Sequence, residues 1–270
     1  MSTLSETKKL SGTPLYSSHG AIFVPKSLVN TYKSNTIWKR FTILPIDSYP
    51  TDDYSTISDS WETIISNIHN GDIDNYAIGS TKKITFDGKT AYLILIGIDK
   101  DVLSSDGVST AKTTWMFTTS IGLQKMNSSS SNADGYPATQ LYTWLEDEKN
   151  KLPDIIKNNL KTVKKTYYDS TTGSTLSVDT DFWLLSKREV GLTADPVESS
   201  GAIYDQFFAE QELRVRTNSD FTYVDWWLRT AGNGTANFCN VSQPTNWNVG
   251  GSSSIRSANT TNAVIPGLCL

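Results

Sequence analysis

The chain has 270 residues, 37% hydrophobic and 19% charged, with 24 Lys and Arg against 28 Asp and Glu for a net charge of −4. No basic stripe is present, which disfavours a nucleic-acid partner; two His and two Cys, far apart, leave little for a zinc site, a Cys–His pair or a Ser-His-Asp triad. Eight Trp and 11% aromatic residues argue for a packed core of one or two domains, and no stretch approaches the roughly 18 apolar residues that membrane insertion needs.

Residues 1–20 are polar, lack the apolar core of a secretion signal and read as an N-terminal arm. Residues 22–24 are a short strand candidate ending at Pro25, Ser27 caps a short helix carrying Leu28, Tyr32 and Trp38, and residues 41–44 are a second strand ending at Pro45. Together they make a small β-α-β attachment segment over 21–48, followed by a linker rich in Pro, Asp, Ser and Thr that reaches residue 58.

The domain proper is expected over 59–270. Asp59 and Glu62 have cap-and-box spacing, Trp61, Ile64, Ile65 and Ile68 share one helical face, and Asn70-Gly71 stops the helix. Residues 83–86 and 89–98 flank Asp87-Gly88 as a β-hairpin. A strand at 115–119, a polar loop at 127–134 and a helix at 139–152 follow, the helix carrying Leu141, Trp144 and Leu145 and breaking at Pro153. The basic run 161–165 (KTVKK) reads as a solvated face. Then come strands at 182–185, 224–229 and 263–270, with a short helix at 202–208. Trp226 and Trp227 point to opposite faces of their strand, so one belongs to the core and the other to a binding or inter-subunit surface. Early, few helices followed by short strands and long loops predict an α+β fold rather than alternating βαβ units.

Residues 232–261 are dominated by Asn, Ser, Thr and Gly, and after Asp225 the chain contains no acid, no Lys and only two Arg, Arg229 and Arg256. Phe238, Val241, Trp247, Val249 and Ile255 interrupt the polar run, so the segment is expected to be held on the domain. Small polar residues with an occasional Trp or Arg are the composition of a binding surface, in which Asn and Ser adapt and Trp and Arg anchor. An ordinary surface loop of a Ser- and Asn-rich protein has the same composition.

The order Trp61 with its helix, Leu95-Ile96-Gly97, Tyr136-Pro137, Asp181-Phe182-Trp183-Leu184-Leu185-Ser186, Trp226-Trp227-Leu228-Arg229-Thr230 and the closing AVIPGLCL resembles phage-encoded C-type-lectin-like domains of the formylglycine-generating-enzyme type. That group includes the variable proteins of diversity-generating retroelements. Ile265 stands where the family usually carries Arg. The resemblance implies a C-type-lectin-like domain on a virion, made in the host bacterial cytoplasm and binding a host-cell surface protein or glycan. Its ligand face would hold Asn233, Thr235, Asn237, Asn246, Trp247, Asn248, Ser252, Ser253, Ser254, Arg256 and Asn259. It also implies attachment to other virion proteins through the arm, and a homo-oligomer, with a trimer favoured. The alternative is a structural head-decoration or tail protein without receptor binding.

No catalytic residues, cofactor or metal are expected. Gln243-Pro244-Thr245 and Asn246-Trp247-Asn248 echo the calcium motifs of true C-type lectins, but Thr245 and Asn248 stand where calcium requires carboxylates. Cys239 and Cys269 have no nearby His or acid in sequence to activate a thiol, and read as small buried residues on adjacent strands. The pairs Asp52/Asp53 and Asp72/Asp74 sit in turn contexts, where Asp serves the backbone.

Overall fold

A computed structural model describes residues 21–24, 29–34, 42–45, 57–192, 202–207, 211–232, 234–245 and 248–270. The N-terminal arm, Asn233, Asn246 and Trp247 lie outside the described residues. Strands β1 (Ala21–Val24) and β2 (Thr42–Pro45) pair in parallel, with helix α1 (Val29–Ser34) between them in the chain.

Helix α2 (Trp61–Asn70) buries the predicted face of Trp61, Ile64, Ile65 and Ile68, each worth about 1.5–3 kcal/mol on removal from water. Its cap is Ser60 rather than Asp59: the Ser60 hydroxyl accepts from the Thr63 amide at 3.2 Å, while Asp59 accepts from the Tyr76 hydroxyl at 2.8 Å. Gly71 ends the helix at φ 79°, a left-handed conformation that glycine adopts without a Cβ penalty.

Two five-stranded sheets form the body. The first runs β3 (Thr81–Phe86), β4 (Lys89–Ile98), β5 (Thr113–Phe117), β16 (Pro266–Cys269) and β9 (Phe182–Leu184). The β3–β4 hairpin turns at Asp87 and Gly88, both with positive φ, as its Asp-Gly signal predicts. The second runs β14 (Ser253–Ser257), β13 (Asn237–Val241), β12 (Trp226–Ala231), β15 (Thr261–Val264) and β6 (Gly122–Lys125). The architecture is mixed α+β, with one large core drawing on both sheets and on α2 and α3 (Gln140–Lys149). Trp61 packs edge-on against Trp115 at 5.4 Å, and Phe86 against Phe117 at 5.0 Å. Thr139 caps α3, α4 (Asp154–Lys157) follows Pro153, and the short strands β10 (Arg216–Thr217) and β11 (Tyr223–Val224) pair antiparallel ahead of β12.

Four sequence readings are corrected. The terminal segment is two strands, not one. It pairs with β6 and β12 up to Val264, crosses at buried Ile265, and continues between β5 and β9 from Pro266, so it belongs to both sheets. Trp226 and Trp227 are both fully buried: their indoles donate to the carbonyls of Arg214 and Gln124, each at 2.9 Å, so neither lines a surface. Of the helix expected over 202–208, the described residues 202–207 hold a 3-10 turn, Asp205–Phe207, instead of an α-helix. The basic run belongs to β7 (Val163–Asp169), which pairs with β8 (Ser174–Thr180); strand alternation turns Lys164 outward to Asp179 and Lys165 inward, where it is 2% exposed.

Candidate functional site

The polar segment after Arg229 is built on two strands joined by a long tip. β13 and β14 form an antiparallel hairpin on the edge of the second sheet, in register from Asn237↔Ser257 to Val241↔Ser253. Directly opposed residues share a face. Ser254 and Arg256 therefore lie with Asn240 and Phe238 on one side, and Ser253, Ile255 and Ser257 lie with Val241, Cys239 and Asn237 on the other. The hairpin divides the predicted residues between its two faces and its two ends.

At the tip, Thr245 and Asn248 exchange backbone hydrogen bonds at 2.8 and 3.3 Å, and the Asn248 side chain accepts from the Gly250 amide at 2.9 Å. Gly250 and Gly251 both have positive φ, and a Cβ on Gly251 would collide with the Gln211 carbonyl oxygen. The Gln211 amide donates to the Gly250 carbonyl and to the Ser252 hydroxyl. Arg256 pairs with Asp225 at 2.9 Å, and the other oxygen of Asp225 accepts from the Gln243 amide at 2.8 Å. This carboxylate ties the tip to the edge strand, and Arg256 remains half exposed.

At the base, the polar loop 127–134 comes alongside. Buried Asn132 donates from its side chain to the carbonyls of Gly234 and Asn237, both at 2.9 Å, and its backbone amide reaches the Thr235 carbonyl at 2.9 Å. Ser257 donates to Asn259 at 2.8 Å and touches Ser130. Thr235, Asn259 and residues 128–130 are exposed. The sequence marks both segments as polar; only the fold brings the loop against the base of the hairpin.

A second cluster, missed by sequence reading, lies in the interior. Arg229 on β12 forms a two-pronged pair with Glu189, at 2.6 and 2.8 Å, and donates further to the carbonyls of Leu184 and Thr166, each at 2.9 Å. Glu189 also accepts from the Ser186 amide at 2.8 Å. Burial alone would raise the Glu189 carboxyl, but Arg229 and Lys165 outweigh it and hold it down at about 2. Lys165 Nζ contacts Asp101, lies 2.9 Å from Glu189 and 2.6 Å from the Tyr204 hydroxyl, and sits over the Trp183 ring at 4.2 Å. Cys269 lies 3.3 Å from Asp101; burial first, and that carboxylate second, push its thiol well above the ordinary range. Cys239 and Cys269 are both buried, on strands of different sheets rather than on adjacent ones.

Two open grooves, of about 540 and 440 Å3, meet at Leu103 and Lys161, and none of the predicted binding residues lines either. Among the described residues, no helix is long and apolar enough to cross a membrane. Residues 112–270 match the family model described as a domain of unknown function, DUF6273. No curated protein and no solved structure matches the chain.

Proposed function

The chain belongs to the DUF6273 family, whose description assigns no activity, and we propose that it is a phage virion protein whose C-type-lectin-like domain binds a host-surface protein or glycan through exposed polar residues of the β13–β14 hairpin and the 127–134 loop. The observation that carries this reading is the way that face is built. Backbone pairing, Asn132 and Asp225 hold the hairpin and its flanking loop in place, while Thr235, Asn248, Arg256 and Asn259 remain exposed. A surface held by its backbone presents side chains without needing them for folding, which suits recognition and tolerates change. The order of sequence elements that resembles retroelement-diversified proteins supports the same reading.

The test is adsorption of the purified chain to candidate host cells, wild type against a Trp247→Ala/Arg256→Ala variant. Exposed ion pairs such as Arg256–Asp225 contribute about 0–1 kcal/mol, so the Arg256 change is expected to leave the fold intact, and the far-ultraviolet circular dichroism of the double variant is checked before adsorption is read. Loss of an anchor costs about 2 kcal/mol or more of binding, a large fall in adsorption. A folded variant that adsorbs like wild type refutes the site. A wild type that adsorbs to no host cell favours a purely structural virion role. Protease or periodate treatment of the cells then separates a protein ligand from a glycan.

A further inference from the structure

The interior cluster holds more charge than one salt bridge requires. Glu189 and Arg229 satisfy each other through two parallel hydrogen bonds. That leaves Lys165 and Asp101 as a second pair in the same dry pocket, their side chains 2% and 7% exposed and the lysine nitrogen directly against the carboxyl group. Trp183 and Tyr204 wall the amine, and the Tyr204 hydroxyl donates to both Asp101 oxygens at 3.0 and 3.1 Å. The Thr114 hydroxyl donates to Asp101 Oδ2, and the Cys269 thiol lies 3.3 Å from the same oxygen.

An ammonium and a carboxylate in contact, cut off from water, are an amine and a carboxylic acid after a single proton transfer. From this geometry we propose that Lys165 and Asp101 join in an intramolecular isopeptide bond. In the first step a proton passes from Lys165 Nζ to an Asp101 oxygen, giving the neutral amine and acid. The nitrogen lone pair then adds to Asp101 Cγ, and the new oxyanion is steadied by the Tyr204 and Thr114 hydroxyls. The surplus proton on nitrogen moves to the departing hydroxyl, the C–O bond breaks, and one water leaves. Ammonium plus carboxylate become amide plus water; nothing is oxidised or reduced, and no co-reactant is needed.

Three features of the pocket favour the product. Fixed contact between the reacting groups replaces a bimolecular encounter. The ion pair carries a desolvation penalty that a neutral amide does not. Glu189, anchored by Arg229 and 2.9 Å from the nitrogen, acts as a positioning residue that holds the amine toward Asp101. The bond would tie the β7–β8 hairpin to the β4–β5 connection, closing a loop between residues 64 positions apart. It is independent of any ligand on the polar face.

Intact mass spectrometry of the denatured full chain decides the matter, followed by sequencing of a tryptic digest. The expected result is a chain lighter than its unmodified polypeptide by one water, with a branched peptide joining Lys165 to Asp101 and no tryptic cleavage after Lys165. The full unmodified mass would overturn the proposal. So would a lost water that maps elsewhere, such as a succinimide at Asp87-Gly88. Lys165→Arg should retain the full mass whether or not it folds, and a dehydrated variant would count against the assignment.

Discussion

In a chain whose Lys165 and Asp101 are not joined, replacing Glu189 by Gln removes one of four charges that balance in the interior, and leaves Arg229 and Lys165 facing a single carboxylate. The magnitude follows from proton linkage. The Glu189 carboxyl falls from an ordinary 4.5 to about 2 in the folded chain, which at about 1.36 kcal/mol per pH unit corresponds to about 3 kcal/mol. Breaking a buried pair by removing one partner costs about 3–5 kcal/mol, which agrees. Because the folded value is depressed, this stability is present above pH 4.5 and is lost as pH falls from there toward about 2. Urea unfolding of wild type and Glu189→Gln should therefore differ by about 3 kcal/mol at pH 7, with roughly 2 kcal/mol of that gap gone by pH 3. Both proteins are weighed first, so that their covalent state at Lys165 is known. A gap under about 1 kcal/mol at pH 7, or one that widens in acid, refutes the assignment of Glu189 as a stabilising buried anion.

Trp227→Ala should cost about 3–5 kcal/mol in urea unfolding, because Trp227 is fully buried and its indole donates to Gln124. A folded variant impaired only in cell adsorption would return Trp227 to the surface. Gly251→Ala forces a Cβ against the Gln211 carbonyl at φ 75°, at about 1–3 kcal/mol of local strain. Hydrogen exchange should accelerate over residues 242–252 while β5 and β16 stay protected, and unchanged exchange at the tip would contradict the packing described.

The parts of this fold legible in the sequence are those whose signals are local. Helix α2 announces itself through an apolar face of one period and a glycine stop; its cap does not, because Asp59, which has the cap-and-box spacing, is drawn away to Tyr76 and Ser60 caps instead. The β3–β4 hairpin is carried by Asp-Gly. The β7–β8 hairpin has no such pattern, since β8 is exposed at nearly every position and offers no alternation to read. β13 and β14 are masked by composition: Ser and Asn are poor strand formers, and here pairing along the sheet edge overrides propensity. Lys165 reads as solvated from the sequence because its partners lie 64 residues before it and 24 after it. One signal was available. An arginine directly after the apolar run Trp226-Trp227-Leu228, on a strand with a buried side, calls for an acid, and Glu189, close behind the buried Phe182-Trp183-Leu184 strand, is a candidate.

The two clusters are connected through β12 and divide the work of the domain. Arg229 gathers the carbonyls of Leu184 and Thr166 and the carboxylate of Glu189, so one side chain links β9, β7 and the turn at residue 189 to the strand on which the polar hairpin is built. Four residues earlier, Asp225 leaves the same strand at its other end and holds the hairpin tip through Gln243 and Arg256. Interior charge thus fixes the strand, and a half-buried carboxylate at its edge fixes what the strand displays. Changes at exposed positions such as Thr235, Asn248 or Asn259 leave both attachments intact, whereas a change at Arg229 or Asp225 moves the whole face at once. The proposed binding role would use that separation, with change confined to exposed side chains, and on this chain the boundary between them and the scaffold falls along β12 and β13.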